Sequence, residues 1–233
     1  MKKRTENKSS ATKLVKRMIL PGGTAPRLIR GGLLRGLKME LNFEHHTQRW
    51  LGLGEIELSE WFSAYSKGIR AAIDVGANDG SYTLFFLART SAGQVVSCEP
   101  SETCVEQMRR NLELNGYKND PRLRVISRFV GRNQGNSIAL DSISGGVESP
   151  CLVKVDIDGG EMELLRGAQE LLDRADTRWI IEVHSQALER ECLEWLKRAG
   201  YEATVVPNAW WRFFLPELRG GDLNRWIVGT RNH

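Results

Sequence analysis

The sequence predicts an α/β fold built on a doubly wound, mostly parallel sheet with an antiparallel C-terminal edge. Three observations carry that expectation. Short continuous apolar runs recur between residues 71 and 184: "AAIDV", "QVVSCE", "LRVIS", "CLVKVDI" and "RWIIEVH". Helical periodicity follows four of them, at 80–90, 102–114, 161–173 and 187–199. The last segments, "YEATVV", "WWRFFL" and "RWIVGT", are strand-like with no helix between them. A parallel strand covered on both faces needs an unbroken apolar run, and a crossover helix returns the chain to start the next one.

Taken in order, the chain begins with a basic segment. Residues 1–38 hold eleven Lys or Arg against one acid, Glu6, while the other residues hold 22 against 28. With the glycines and prolines of "LPGGTAPRLIRGGLLRG", this predicts a basic mobile arm over 1–34, either a solvated tail or a contact for an anionic partner. A lead-in over 35–70 follows, the short strand "LKMELNF" and then the helical face Ile56, Leu58, Trp61, Phe62 and Tyr65 in "EIELSEWFSAYSKG". The main domain spans 71–233. No run of eighteen apolar residues occurs, which excludes a hydrophobic membrane span. The N-terminus has no apolar core or small-residue cleavage site of a secretory signal, and Glu6 argues against a transit peptide. Four cysteines without metal-ligand spacing read as reduced thiols, and the expected location is cytoplasmic.

The stretch "AAIDVGANDGSYTLFFLA" (71–88) places a glycine-bracketed turn between strand and helix, where open α/β sheets bind ligands. The turn has acids, Asp74 and Asp79, and no lysine, so it lacks the phosphate cradle that a nucleoside triphosphate needs. Its two glycines, Gly76 and Gly80, do not make the three-glycine dinucleotide fingerprint. S-adenosylmethionine fits better: it has no phosphate, and its sulfonium and ammonium suit acids. Backbone N–H groups at the helix start suit its carboxylate, and Glu99, ending the next strand, suits its ribose hydroxyls. Asp74 as a capped turn residue is the competing reading. The expected cofactor-binding set in this region is Asp74, Gly76, Asn78, Asp79, Gly80 and Glu99.

The ordered segments "IDVGANDGSYTLFFLA", "VVSCEPSE", "NLELNG", "ALDSI", "LVKVDIDGGEMELLRGA", "IIEVHS" and "LKRAGYE" resemble FkbM-type methyltransferases over roughly residues 70–206. Within "KVDIDGGEMELLRGA", Asp158 stands where the family usually has Glu, and Gly160 replaces a more typical small residue. The resemblance implies a class I, Rossmann-like fold with a seven-stranded sheet. It also implies S-adenosylmethionine and methyl transfer, usually to a hydroxyl of a sugar, lipid-linked glycan or natural product. Asp156 matches the family's strand-end acid facing the cofactor, and the resemblance adds it to the expected cofactor-binding set, the alternative being a carboxylate paired with Lys154. The expected catalytic residues are Asp156, His184 and Lys154.

His184, at a strand end, is the natural base, with a structural histidine as the competing reading. Glu182 alternates to the same side of its strand as His184. With Asp156 or Asp158 the two form a set able to bind a divalent cation, but an acidic rim balanced by Lys154 explains the same residues, and no metal is expected. Glu161 reads as an acid favouring its helix start. His45 and His46 read as a loop pair rather than a metal site. Trp210, Trp211, Phe213 and Phe214 read as core aromatics, with a sugar- or base-stacking face as the other use. The loop after the third strand has no acid for the adenine amine, which leaves Asn133, Gln134 or Asn136. Two rival functions stand beside O-methyl transfer: a nucleic-acid binder or RNA methyltransferase using the basic arm, and a catalytically silent cofactor-binding module.

Overall fold

The computed structural model describes residues 22–132, 137–213 and 225–231. They fall into two compact units, residues 1–56 and 57–233.

In the first unit, strands β1 (Thr24–Leu28) and β2 (Lys38–Asn42) pair antiparallel, and helix α1 (Phe43–Leu51) follows. Residues 24–28, expected in the basic arm, are thus part of a hairpin. Pro26 is tolerated because a two-stranded ribbon has an open side on each strand. Asn42 caps α1 by accepting from the Glu44 N–H. His45 and His46 lie on this helix rather than in a loop, and His46 Nδ1 accepts from the Asn42 N–H. Residues 1–21 of the basic segment lie outside the described residues.

The second unit holds the sheet. After helix α2 (Ser59–Tyr65) the strands and helices alternate: β3 (Ala71–Val75), α3 (Ser81–Arg89), β4 (Gln94–Cys98), α4 (Glu102–Glu113) and β5 (Leu123–Ile126). A small parallel pair, β6 (Phe129–Gly131) and β7 (Ser137–Ala139), and helix α5 (Leu140–Ser144) lead to β8 (Cys151–Val155). Helices α6 (Glu161–Arg166) and α7 (Gln169–Asp173), strand β9 (Thr177–Val183), helix α8 (Gln186–Arg198) and strands β10 (Glu202–Val206) and β11 (Arg225–Thr230) complete it. The seven-stranded order is β10-β11-β9-β8-β3-β4-β5. β11 is antiparallel to both its neighbours, so the reversed strand lies one place in from the edge.

Two expected elements differ. The single helix over 161–173 is broken at Gly167, where any Cβ would stand 2.3 Å from the Gly131 carbonyl oxygen. Close packing on β6 wins over helix continuity there. "WWRFFL" forms no strand over its described part: Trp210–Phe213 is a 3₁₀ turn, with Trp210 exposed. Phe214 lies outside the described residues.

The sheet places the chemistry. β3 and β8 are adjacent, and the chain leaves them in opposite directions across the sheet, so their C-terminal ends flank the topological switch point. Every residue of β3 and β8 is buried, as their apolar runs require. Among the described residues no helix is long and apolar enough to cross a membrane. Burial pushes the thiols of Cys98, Cys151 and Cys192 up to about 12, and all four cysteines are free.

Candidate functional site

Two groups of residues meet at the switch point. The first is the glycine turn after β3. Gly76 and Ala77 donate their N–H groups to the Cys98 carbonyl, and Gly80 donates to the Ala77 carbonyl. Asn78, in the left-handed region at φ 49°, donates its N–H to Glu99 Oε2 at 2.9 Å. Ser101 donates its N–H to Glu99 Oε1 at 2.9 Å. Glu99 is thereby held by two backbone donors, and each oxygen retains acceptor capacity for a further donor.

The glycines serve packing first. A Cβ on Gly76 would lie 1.8 Å from the Asp156 carbonyl oxygen, and one on Gly80 would lie 2.4 Å from Met108 Cγ. The turn is pressed between the end of β8 and helix α4, which forbids side chains whether or not a ligand is bound. Fully buried Asn111 adds a hydrogen bond to the Asp79 carbonyl at 2.8 Å.

Asp74 does not face outward. It is fully buried, and its Oδ2 accepts from Thr83 Oγ1 at 2.8 Å, with Ser97 Oγ 2.7 Å beyond. Strand register explains the row: Asp74 pairs with Ser97 on one side and Lys154 on the other, so the three share a face. Burial pushes the Asp74 carboxyl up, against the pull of Lys154. Asp79 is half-buried, and its Oδ1 accepts from Ser81 Oγ. Of the expected acids in the turn, Asp74 supports the fold from beneath, while Asp79 and Glu99 stand at its rim.

The second group is a rim at the ends of β8 and β9. Lys154, Asp156, Glu182 and His184 alternate onto one face of the sheet, because Lys154 pairs with Ile180 and the register continues. Buried Lys154 places Nζ 3.1 Å from Asp156 Oδ2 and 4.7 Å from the centre of the Tyr82 ring. Tyr82 in turn stacks on Phe62 at 4.5 Å. His184 Nδ1 lies 2.8 Å from Glu161 Oε1. Its Nε2 faces Asp158 Oδ1 at 3.4 Å, Asp156 Oδ1 at 3.7 Å and Glu182 Oε1 at 4.0 Å. The Glu161 hydrogen bond, opposed by burial and helped by the neighbouring charges, pushes the His184 pKa up. His184 stands on the acidic rim the sequence suggests, with four carboxylates around it and its pKa above the ordinary value rather than near it.

Sequence reasoning missed Tyr82 and the part played by Glu161. Glu161 begins helix α6, as expected, but is fully buried. The signal was present: Glu161, Leu164, Leu165 and Ala168 form an i, i+3, i+4, i+7 stripe, and all four are buried. The described parts of the loop after β5 do not include Asn133, Gln134 or Asn136, so the adenine contacts expected there lie outside the described residues.

Residues 135–203 match the model of the methyltransferase FkbM domain. The resemblance to the FkbM-type methyltransferases is borne out. Among solved structures, the methyltransferase FkbM from Methylobacillus flagellatus KT is similar at a TM-score of 0.55 and 14% identity. That likeness covers 70% of this chain, which spans 44% of that protein. The precorrin-6y C5,15-methyltransferase from Geobacter metallireducens GS-15 is similar at a TM-score of 0.53 and 12% identity, covering 76% of this chain and 87% of that one. An rRNA methylase from Streptococcus thermophilus follows at 0.52 and 12%, covering 76% and 97%. No curated protein matches by sequence. The sheet order and these likenesses make the architecture that of class I, Rossmann-like methyltransferases.

Proposed function

We propose that the chain is an S-adenosylmethionine-dependent O-methyltransferase acting on a hydroxyl of a sugar, glycan, lipid-linked or natural-product acceptor. The carrying observation is the meeting, at one switch point, of a lysine-free acidic turn with the Asp156–His184 rim. The donor set of the turn fits this cofactor. Glu99 is oriented for ribose hydroxyls by the Asn78 and Ser101 N–H groups, and Asp79 and Asp156 offer negative charge without any phosphate cradle.

The cofactor supplies a methyl carbon already activated by its sulfonium, so the protein's task is placement and proton removal. Holding the acceptor oxygen in line is worth up to about 7–11 kcal/mol in favourable cases. Asp156, 30% exposed and fixed by Lys154, receives the hydroxyl beside His184. Proton uptake at such a rim adds about 10²–10⁴-fold. Lys154 acts through Asp156, and the stacked Tyr82 keeps Lys154 in place.

The test is a thermal shift of the full chain with S-adenosylhomocysteine, NAD⁺ and ATP in parallel, followed by labelled-methyl transfer to a panel of hydroxylated acceptors and to RNA. A ligand at a hundred times its Kd stabilises by about 2.7 kcal/mol, a shift on the order of 5–10 °C for a chain of this size. A response to S-adenosylhomocysteine alone and label on a hydroxyl are the expected results. A response to NAD⁺ alone would sink the reading. Label on RNA, lost with residues 1–21 and weakened by salt, would replace the acceptor class with nucleic acid.

A further inference from the structure

Negative charge is crowded at the acidic rim. Asp156, Asp158, Glu161 and Glu182 each place an oxygen within 4.0 Å of a ring nitrogen of His184. Among the described residues, Lys154 pairs with Asp156, and His184 adds positive charge when protonated. Two of the carboxylates, Glu161 and Glu182, have side chains 0% and 1% exposed, where water does little to screen them. Asp158 differs: it is 97% exposed and open to solvent.

A second observation concerns Glu161 itself. Glu161 uses Oε1 for His184 and the Gly159 N–H, but its other oxygen, Oε2, is buried with no hydrogen-bond partner. A buried carboxylate oxygen without a donor is rare and unfavourable. A cation at this rim brings the positive charge that offsets the crowded carboxylates.

The geometry agrees. One ligand atom each from Asp156, Glu182 and His184 lies within 4.8 Å of the others. His184 Nε2 stands 3.7 Å from Asp156 Oδ1 and 4.0 Å from Glu182 Oε1. Ligand atoms about 2.1 Å from a shared ion stand about 3–4.2 Å apart. Glu161 on Nδ1 leaves Nε2 pointing at the carboxylates, the arrangement in which a carboxylate orients a metal-bound imidazole. Without an ion or proton between them, an Nε2 lone pair and three carboxylates repel one another.

We propose that Asp156, Glu182 and His184 hold one divalent cation of the magnesium–manganese class, with Glu161 as the positioning residue for His184. Oxygen ligands dominate the set, which favours these hard ions, and the single imidazole favours manganese over calcium. The ion's purpose rests on the O-methyltransferase reading: an acceptor hydroxyl bound to it ionises more readily, and its proton leaves through exposed Asp158 to solvent. Its binding does not rest on that reading.

The experiment is a titration of the EDTA-treated full chain with MnCl₂ alone, following free Mn²⁺ by electron paramagnetic resonance. The thermal shift with S-adenosylhomocysteine is measured in parallel. One saturable site per chain is expected. Glu182→Gln and His184→Gln should each weaken it at least tenfold. Glu161→Gln should weaken it about 10–100-fold without touching the ion. Glu163→Gln, at a side chain on the same helix that pairs with Arg132 and Arg166, should bind as the unaltered chain does. No saturable Mn²⁺ binding by the unaltered chain overturns the proposal, whatever the variants do. So does equal binding in folded Glu182→Gln. If the S-adenosylhomocysteine shift persists while Mn²⁺ fails to bind, the cation is wrong and the methyltransferase reading stands. Mn²⁺ bound as expected without that shift upholds the cation site and leaves the methyltransferase reading without its cofactor.

Discussion

The glycine turn after β3 and the acidic rim after β8 and β9 lie at the same end of one sheet, yet they use their polar groups differently. In the turn, the N–H groups of Gly76, Ala77, Asn78 and Gly80 bond within the protein, and Asp74 is sealed beneath with Thr83. At the rim, four carboxylates crowd one imidazole. Residues that look ligand-facing in a sequence can be consumed by the fold, whereas the like charges gathered around His184 are what the proposed cation would offset.

The strongest way to break that contrast is to alter one residue on each side. Gly76→Ala should yield little or no folded protein, since its Cβ would meet the Asp156 carbonyl oxygen at 1.8 Å with φ at 77°. Asp156→Asn and His184→Gln should instead still fold, with melting temperatures lowered because buried Lys154 and Glu161 lose these partners, and lose about 10²–10⁴-fold in methyl transfer. Melting curves beside rates on the accepted substrate decide the matter. A well-folded Gly76→Ala, or an unfolded Asp156→Asn, would show that the two regions are not divided in this way.

A balanced buried pair elsewhere sharpens the comparison. Glu57 and Arg212 form an ion pair at 2.7 Å, with side chains 5% and 9% exposed. Burial alone pushes the Glu57 carboxyl up, but the Arg212 hydrogen bonds and charge more than offset this and hold it below its ordinary value. Glu57→Ala leaves Arg212 buried without this carboxylate and should cost about 3–5 kcal/mol in denaturant unfolding at pH 7. Because the folded pKa is depressed, the Glu57 contribution is present above the unfolded value of about 4.3 and fades as pH falls through the folded one. The gap between the unaltered chain and Glu57→Gln should therefore narrow below about pH 4. A constant gap would mean that packing, not charge, joins the pair.

The same physics decided what could be read in advance. The parallel strands were legible because double-sided burial demands unbroken apolar runs, and β3, β8 and β9 are buried along nearly their whole length. The helices at 81–89, 102–113 and 186–198 stood out, two of them behind serine caps at Ser101 and Ser185. The shared side of Glu182 and His184 was legible from alternation, and the convergence with Asp156 from the expected adjacency of their two strands. Gly167 was not: the close approach to Gly131 that breaks the helix is a tertiary fact. Nor was the direction of Asp74. A strand-end acid points up or down according to its cross-strand neighbours, here Ser97 and Lys154, which the local sequence does not pair.

Glu99 and Asp74 allow a finer test within the turn itself. Glu99→Gln removes the charge that orders Asn78 and Ser101 and should weaken S-adenosylhomocysteine binding about tenfold or more, as lost hydrogen bonds to a charged group do. Thr83→Val, which deletes the donor to Asp74 but touches no exposed surface, should cost only about 1–2 kcal/mol of stability. Its ligand affinity should stay within about threefold of the unaltered chain's, measured by calorimetry. The reasoning is that Asp74, being fully buried, makes no direct contact with a ligand, that Thr83→Val leaves its charge in place, and that the shape of the turn is already fixed by Cys98, Asn111 and the packing of Gly76 and Gly80. If Thr83→Val weakened binding as much as Glu99→Gln, the support beneath the turn would be part of the ligand site, and the line between scaffold and site would have to be drawn one layer deeper.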